Sequence, residues 1–150
     1  MKILMVCLGN ICRSPLAHGI LQKAIDSKSL DWSVDSAGTS SFHSGELPDS
    51  RSVEVARENG IDITNQRSRV FEKEDFSRFD LILAMDSSNY QNILKLASSE
   101  ADRKKVNLLL NYKFPGENRA VPDPYYEGGF QSVYNMIEEA VFELIQKNLQ

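Results

Sequence analysis

A chain of 150 residues, 41% hydrophobic and 25% charged, has the size and composition of one ordinary globular domain with a normal core. Its formal net charge is −4 with no dense block of Lys or Arg, which argues against nucleic acid as the main partner, and no apolar run is long enough to span a bilayer. Met1-Lys2-Ile3 runs directly into a strand pattern with nothing resembling a signal peptide, so Cys7 and Cys12 read as thiols in a reducing compartment and the cytoplasm is the expected location.

In chain order, Lys2–Val6 reads as a short buried strand, and Pro15–Ser27 as a helix with Leu16, Ile20, Leu21, Ala24 and Ile25 on its apolar face. Trp32–Ser36 is a second strand, with Trp32 in the core, and the Ser- and Gly-rich stretch Ala37–Pro48 is a loop. Asp49–Asn59 reads as a helix stopped by Gly60. Phe79–Met85 is a buried strand, Ser87–Ala97 a helix capped by the Asp86, Ser88, Asn89 turn, and Val106–Leu110 a strand. Lys113–Gly129, rich in Pro and Gly, is expected to be a long loop. Phe130, Val133, Tyr134, Ile137, Val141, Leu144 and Ile145 then recur at helical spacing, with Glu138-Glu139 on the solvated face. The alternation predicts an α/β fold: a single domain over residues 1–150, with a parallel sheet covered by helices on both faces. Ligands in such folds bind beyond the carboxyl ends of the strands.

Cys7 stands at that position. The first strand leads into Cys7-Leu8-Gly9-Asn10-Ile11-Cys12-Arg13-Ser14-Pro15. A loop curled between a strand and a helix converges its backbone N–H groups on one point, here those of Leu8 to Arg13, and the helix N-terminus adds positive potential. A phosphate dianion suits such a nest. Arg13 can clamp two of its oxygens through a planar fork, and the same field favours the thiolate of Cys7, the form that attacks. The Ser14 hydroxyl is available to that thiolate, Gly9 permits a tight turn, and Asn10 tolerates a left-handed backbone. The pattern points to phosphate-ester cleavage through a cysteinyl-phosphate; the plainer alternative is a strand–turn–helix corner with a buried cysteine. A departing ester oxygen needs a proton, and the loop holds no acid. Asp123, between Pro122 and Pro124, is either that acid or an ordinary Asp-Pro turn, and the residues alone leave both open.

Motifs spread along the chain narrow the choice. Cys7–Ser14 fits C-x5-R-[ST] in the form C-L-G-N-I-C-R-S-P at the extreme N-terminus. Asp35-Ser36-Ala37-Gly38-Thr39, Ala84-Met85-Asp86-Ser87-Ser88-Asn89 and Asp123-Pro124-Tyr125-Tyr126 follow in order. On these motifs the chain resembles the low-molecular-weight protein tyrosine phosphatases. The resemblance implies a four-stranded parallel sheet with the phosphate-binding loop after the first strand. It implies hydrolysis of phosphotyrosine in proteins, or of small aryl phosphates, with Cys7 as nucleophile, Arg13 on the phosphate and Asp123 as general acid and base, and with no metal or cofactor. Asn10 and Ser14 would hold the loop in shape, and Leu8, Gly9, Asn10, Ile11, Cys12, Arg13 and Ser14 would make up the phosphate site. Phe42, where the family often carries tryptophan, would form an aromatic slot with Tyr125 and Tyr126. Ile11 is similar to the tyrosine-directed branch, whereas relatives acting on phosphoarginine carry Thr there. Cys12 is either apolar filler or, as often in the family, a resolving thiol for oxidised Cys7. Thr64-Asn65-Gln66-Arg67-Ser68-Arg69 departs from the family pattern, and no role is carried over to it.

Two other functions share parts of this pattern. Arsenate reduction on the same cradle needs further cysteines as an electron relay, and none follows Cys12. A non-catalytic phosphate-binding module would dispense with both the thiol and the distant acid. No G-x4-G-K-[ST] occurs, which removes a P-loop nucleotidase. The histidines make no zinc set: His18 is expected to be solvated, and His43 to reach the pocket rim through Phe42. A monomer is the default state.

Overall fold

Ile3, Leu4, Met5 and Val6 leave no polar face between them, and all four are fully buried in β1 (Lys2–Cys7) at the centre of the sheet. In the computed structural model, which describes residues 1–149, β1 pairs in parallel with β2 (Ser33–Gly38) and with β3 (Leu81–Ala84). A short β4 (Val106–Leu108) lies parallel to β3, so the four strands run in the order β2-β1-β3-β4.

The pleat of β1 divides the interior into two cores. Ile3, Met5 and Cys7 face the larger core, built with α1 (Arg13–Lys28), α2 (Ser50–Glu58) and α7 (Phe130–Asn148). Leu4 and Val6 face a smaller one, with Phe71, with Phe76 from α3 (Asp75–Arg78) and with Ile93 from α4 (Ser87–Leu94). Helices therefore cover both faces. A further short helix, α5 (Glu100–Lys104), leads into β4. Among the described residues, no helix is long and apolar enough to cross a membrane.

Several boundaries differ from the sequence reading. The first helix starts at Arg13, which puts Pro15 third in its first turn, where the missing N–H has no intrahelical partner to lose. β4 ends at Leu108 and passes into a 3-10 turn, Leu109–Tyr112, rather than running to Leu110. The expected loop 113–129 contains one helical turn, α6 (Pro124–Glu127), started by the Asp123 side chain on the Tyr125 N–H. Helices of four or five residues, such as α3 and α5, are too short to show a periodicity. Trp32 lies just before β2 and is half-buried at the edge of the larger core.

His18 is not solvated. A Cβ on Gly19 would stand 2.6 Å from Ile63 Cγ2, so the segment around residues 61–66 lies directly on α1. It leaves the His18 ring half-buried, with Nδ1 3.2 Å from Ser36 Oγ. Glu138 and Glu139 are exposed as expected, Glu138 accepting a hydrogen bond from the Tyr134 hydroxyl.

Candidate active site

The loop after β1 owes its shape to close backbone approach and to one left-handed residue. Thr39 N–H donates to Cys7 O and Ser40 N–H to Leu8 O, both at 2.9 Å. A Cβ on Gly38 would lie 2.7 Å from Leu8 O and 3.1 Å from Asn10 N, so only glycine fits there. Asn10 sits at φ 56°, the conformation its side chain tolerates better than most. Its Nδ2 donates to Ser14 Oγ at 2.7 Å, and Ser14 Oγ lies 3.1 Å from Cys7 Sγ. Because Asn10 already fills an acceptor site on that hydroxyl, the Ser14 proton is left for the sulfur or for the more distant Ala37 O at 3.5 Å.

Arg13 is buried at the start of α1. Its Nη1 donates to Asp86 Oδ2 at 2.7 Å and to Val121 O at 2.9 Å, while Nη2 lies 3.6 Å from Asp123 Oδ2. Burial alone would loosen its proton, but the facing Cys7 and the hydrogen-bonded Asp86 outweigh burial and raise its pKa. The guanidinium is a permanent, immobilised charge. Asp123 both starts α6 and stands beside Arg13: Oδ1 takes the Tyr125 N–H at 3.1 Å, and Oδ2 faces the guanidinium.

These groups open onto one cleft of about 540 Å³. Cys7, Arg13 and the loop residues Leu8, Gly9, Ile11 and Cys12 form its floor, with Asp123 at one side. Phe42, Tyr125 and Tyr126 rim it, 83%, 40% and 75% exposed, and the two tyrosine rings stand edge to face with centroids 5.0 Å apart. His43 reaches the cleft itself, not only through Phe42. Its ring edge rests on Gly9, where a Cβ would come within 3.0 Å, and Nδ1 meets Glu46 Oε2 at 3.0 Å. The Asn10 and Ser14 side chains are buried behind the cleft wall and hold it from there.

The sequence model described as "Low molecular weight phosphotyrosine protein phosphatase" matches residues 2–150. The chain belongs to this family. A Synechocystis sp. relative whose name places it in the same family is 46% identical, over 97% of this chain and 94% of its own length. The crystal structure of a protein tyrosine phosphatase from Entamoeba histolytica, with Hepes in the active site, superposes with TM-score 0.92 at 39% identity, covering 99% of this chain and 97% of that one. A Drosophila arginine phosphatase superposes with TM-score 0.93 at 35% identity, covering 100% and 99%.

Within this phosphatase fold, two contributions escaped the sequence reading. Asp86, seen only as a helix cap, does cap α4 through Oδ1 on the Asn89 N–H at 2.8 Å, and anchors Arg13 with its other oxygen. The divergent segment 64–69 is a buttress. Ser68 Oγ donates to Gly9 O at 2.9 Å, Arg69 N–H to Asn10 Oδ1 at 3.0 Å, and Gln66 Nε2 to Pro15 O at 3.1 Å. The Arg69 guanidinium is fixed by both oxygens of the fully buried Asp75, at 3.0 and 3.1 Å. Neither contribution follows a spacing rule, since the partners are far apart in sequence. Cys12 is a free, buried thiol; burial first, then the nearby Asp49 and Cys7, push its pKa up to about 12.

Proposed function

We propose that the chain is a protein tyrosine phosphatase, hydrolysing phosphotyrosine and small aryl phosphates in two displacements at Cys7. The observation that carries this reading is the convergence of Cys7, the immobilised Arg13 and Asp123 on a single aromatic-rimmed cleft. Cys7 Sγ attacks phosphorus as the P–O bond to the aryl oxygen breaks, and Asp123 gives that oxygen its proton. Arg13 and the backbone N–H groups from Leu8 to Arg13 hold the equatorial oxygens through the transfer. Water then attacks the cysteinyl-phosphate, Asp123 takes its proton, and the thiolate leaves as phosphate is released. The Ser14 hydroxyl, 3.1 Å from Sγ, stabilises that leaving thiolate.

Phe42, Tyr125 and Tyr126 supply flat apolar walls for a phenyl ring, and Ile11, buried in the floor, keeps it apolar. Flat aromatic walls and an apolar floor suit a phenyl ring, which supports phosphotyrosine as the substrate. The same proposal makes the chain a cytoplasmic monomer that acts on a phosphoprotein or a small aryl phosphate, not on nucleic acid or a membrane.

The test is hydrolysis of a phosphotyrosine peptide in EDTA with reductant, beside phosphoserine and phosphoarginine controls. Wild type is expected to turn over the tyrosine substrate selectively, Cys7→Ser to be inactive, and Asp123→Ala to lose about 10²–10⁴-fold in kcat/KM. Phosphate binding without turnover would overturn the reading in favour of a binding module.

Cys12 is the proposed resolving thiol. Peroxide converts the Cys7 thiolate to a sulfenic acid, and the Cys12 sulfur displaces its hydroxyl as water to close a disulfide. Since burial keeps Cys12 protonated, pushing its pKa up to about 12, closure is expected to accelerate as pH rises. In excess peroxide, which carries an unprotected sulfenic acid on to a sulfinic acid that dithiothreitol does not reduce, wild type is expected to recover with dithiothreitol and Cys12→Ser not to; equal recovery would leave Cys12 as filler.

A further inference from the structure

We infer that Arg51 is a positioning residue, clamping the segment that carries Asp123 across a glycine hinge. The inference rests on Asp123 acting as the acid. That segment has little of its own to hold it. α6 is a single turn of four residues in which only Pro124 is buried, and one turn of helix is not self-sustaining. Behind it come Gly128 and Gly129, both at φ 76°, with open space where each Cβ would be. Two consecutive glycines in that conformation are a hinge by their own backbone freedom.

Arg51, in the first turn of α2, spans this hinge. Its Nε and Nη2 donate to the two carboxylate oxygens of Asp49, each at 3.0 Å, which fixes the guanidinium plane. The hydrogen bond from Arg51 also holds the Asp49 carboxyl below its ordinary range, so both partners stay charged. From this plane Nη2 reaches Tyr125 O at 3.4 Å, and Cζ lies 5.6 Å from the Tyr125 ring centroid and 4.7 Å from that of Phe130. Tyr125 precedes the glycine pair and Phe130 follows it. One side chain therefore grips the chain on both sides of the hinge, its nearer contact, Tyr125, being two residues beyond Asp123. The clamp is also tied to the phosphate site, because Asp49 N–H donates to Ile11 O at 2.8 Å. Arg51 does not line the cleft; it sets the spacing between the loop that holds the phosphate and the carboxyl that protonates the leaving oxygen. Lysine would keep the charge toward Asp49 but has no plane to lay against two rings while forking to a carboxylate.

The readout is the leaving-group dependence of kcat/KM, which reports the first displacement. Phenol needs a proton as it leaves and 2,4-dinitrophenol does not, so loss of acid placement penalises phenyl phosphate selectively. Arg51→Ala is expected to lower kcat/KM for phenyl phosphate about tenfold while 2,4-dinitrophenyl phosphate stays within about twofold, and Arg51→Lys to follow it. In an Asp123→Ala background, Arg51→Ala is expected to cost nothing further. Equal losses on both esters, no loss on either, wild-type behaviour of Arg51→Lys, or additivity with Asp123→Ala would each overturn the clamp. If Asp123→Ala itself failed to discriminate the two esters, the acid assignment would fall and the clamp with it. If Asp123→Ala discriminates and Arg51→Ala does not, the clamp alone is wrong.

Discussion

Asp86 uses one carboxylate for two tasks, and the tasks separate by substitution. Asparagine is as good an N-cap as aspartate, so Asp86→Asn keeps α4 capped but leaves the Arg13 guanidinium without its 2.7 Å counter-charge. The expected result is a largely intact fold with kcat/KM lowered about 10- to 100-fold, because the arginine fork is no longer aimed. Asp86→Ala removes the cap as well and is expected to cost about 1 kcal/mol more stability than Asp86→Asn, read by thermal melting beside the kinetics. Equal kinetics for Asp86→Asn and wild type would show that Val121 O suffices to orient Arg13. At this scale much was legible in the chain itself. Cys7, Arg13 and Asn10 are where a strand–loop–helix corner needs a nucleophile, a fork and a left-handed residue. The contact of Asp86 with Arg13 was hidden because a capping residue before a helix already accounts for an aspartate there.

Between elements, the tightest constraint on the site is where β2 ends against the phosphate loop. The neighbours a Cβ at Gly38 would meet are backbone atoms of Leu8 and Asn10, which cannot rotate away as a side chain would. Gly38→Ala is therefore expected to push the loop out of shape. Competitive inhibition by inorganic phosphate should weaken and the melting temperature fall, whereas preserved phosphate inhibition would mean the loop has slack that its geometry does not suggest. The elements themselves were readable wherever a period had room to show. The helix expected over Asp49–Asn59 is present as Ser50–Glu58, with Asp49 and Asn59 as its caps and Gly60 just beyond. The misreadings fell where an element is a single turn or where a tertiary neighbour sets the boundary. The turn at 124–127 is hidden in a stretch whose prolines and glycines spell loop.

For the molecule as a whole, His18 makes folding depend on pH. Burial lowers its pKa below the ordinary imidazole range, and Asp35 and Gln66 offset this only in part. The native state therefore prefers the neutral ring, while the unfolded chain takes up a proton near pH ~6.5. More protons bound in the unfolded state means stability that rises with pH across this window. It is fully present above ~6.5 and lost as pH falls from there toward the lower native value. Urea midpoints are expected to drop between neutral and mildly acidic pH, with His18→Gln flattening that drop; an unchanged slope in the variant would assign it to other groups.

By itself, the sequence determined what local chemistry and periodicity can determine: the parallel α/β alternation, the nucleophile and arginine cradle, the left-handed Asn10, and motifs specific enough to indicate the family. A strand, a loop and a helix adjacent in the chain have few ways to arrange themselves, so their geometry is nearly written in their order. Only the tertiary structure decided that Asp86 meets Arg13, that segment 64–69 braces the loop, that His18 is half-buried under its neighbours and that Arg51 spans the hinge beyond Asp123. Each of these joins residues far apart in the chain, and their meeting depends on how helices and loops pack over the sheet, which no local pattern encodes.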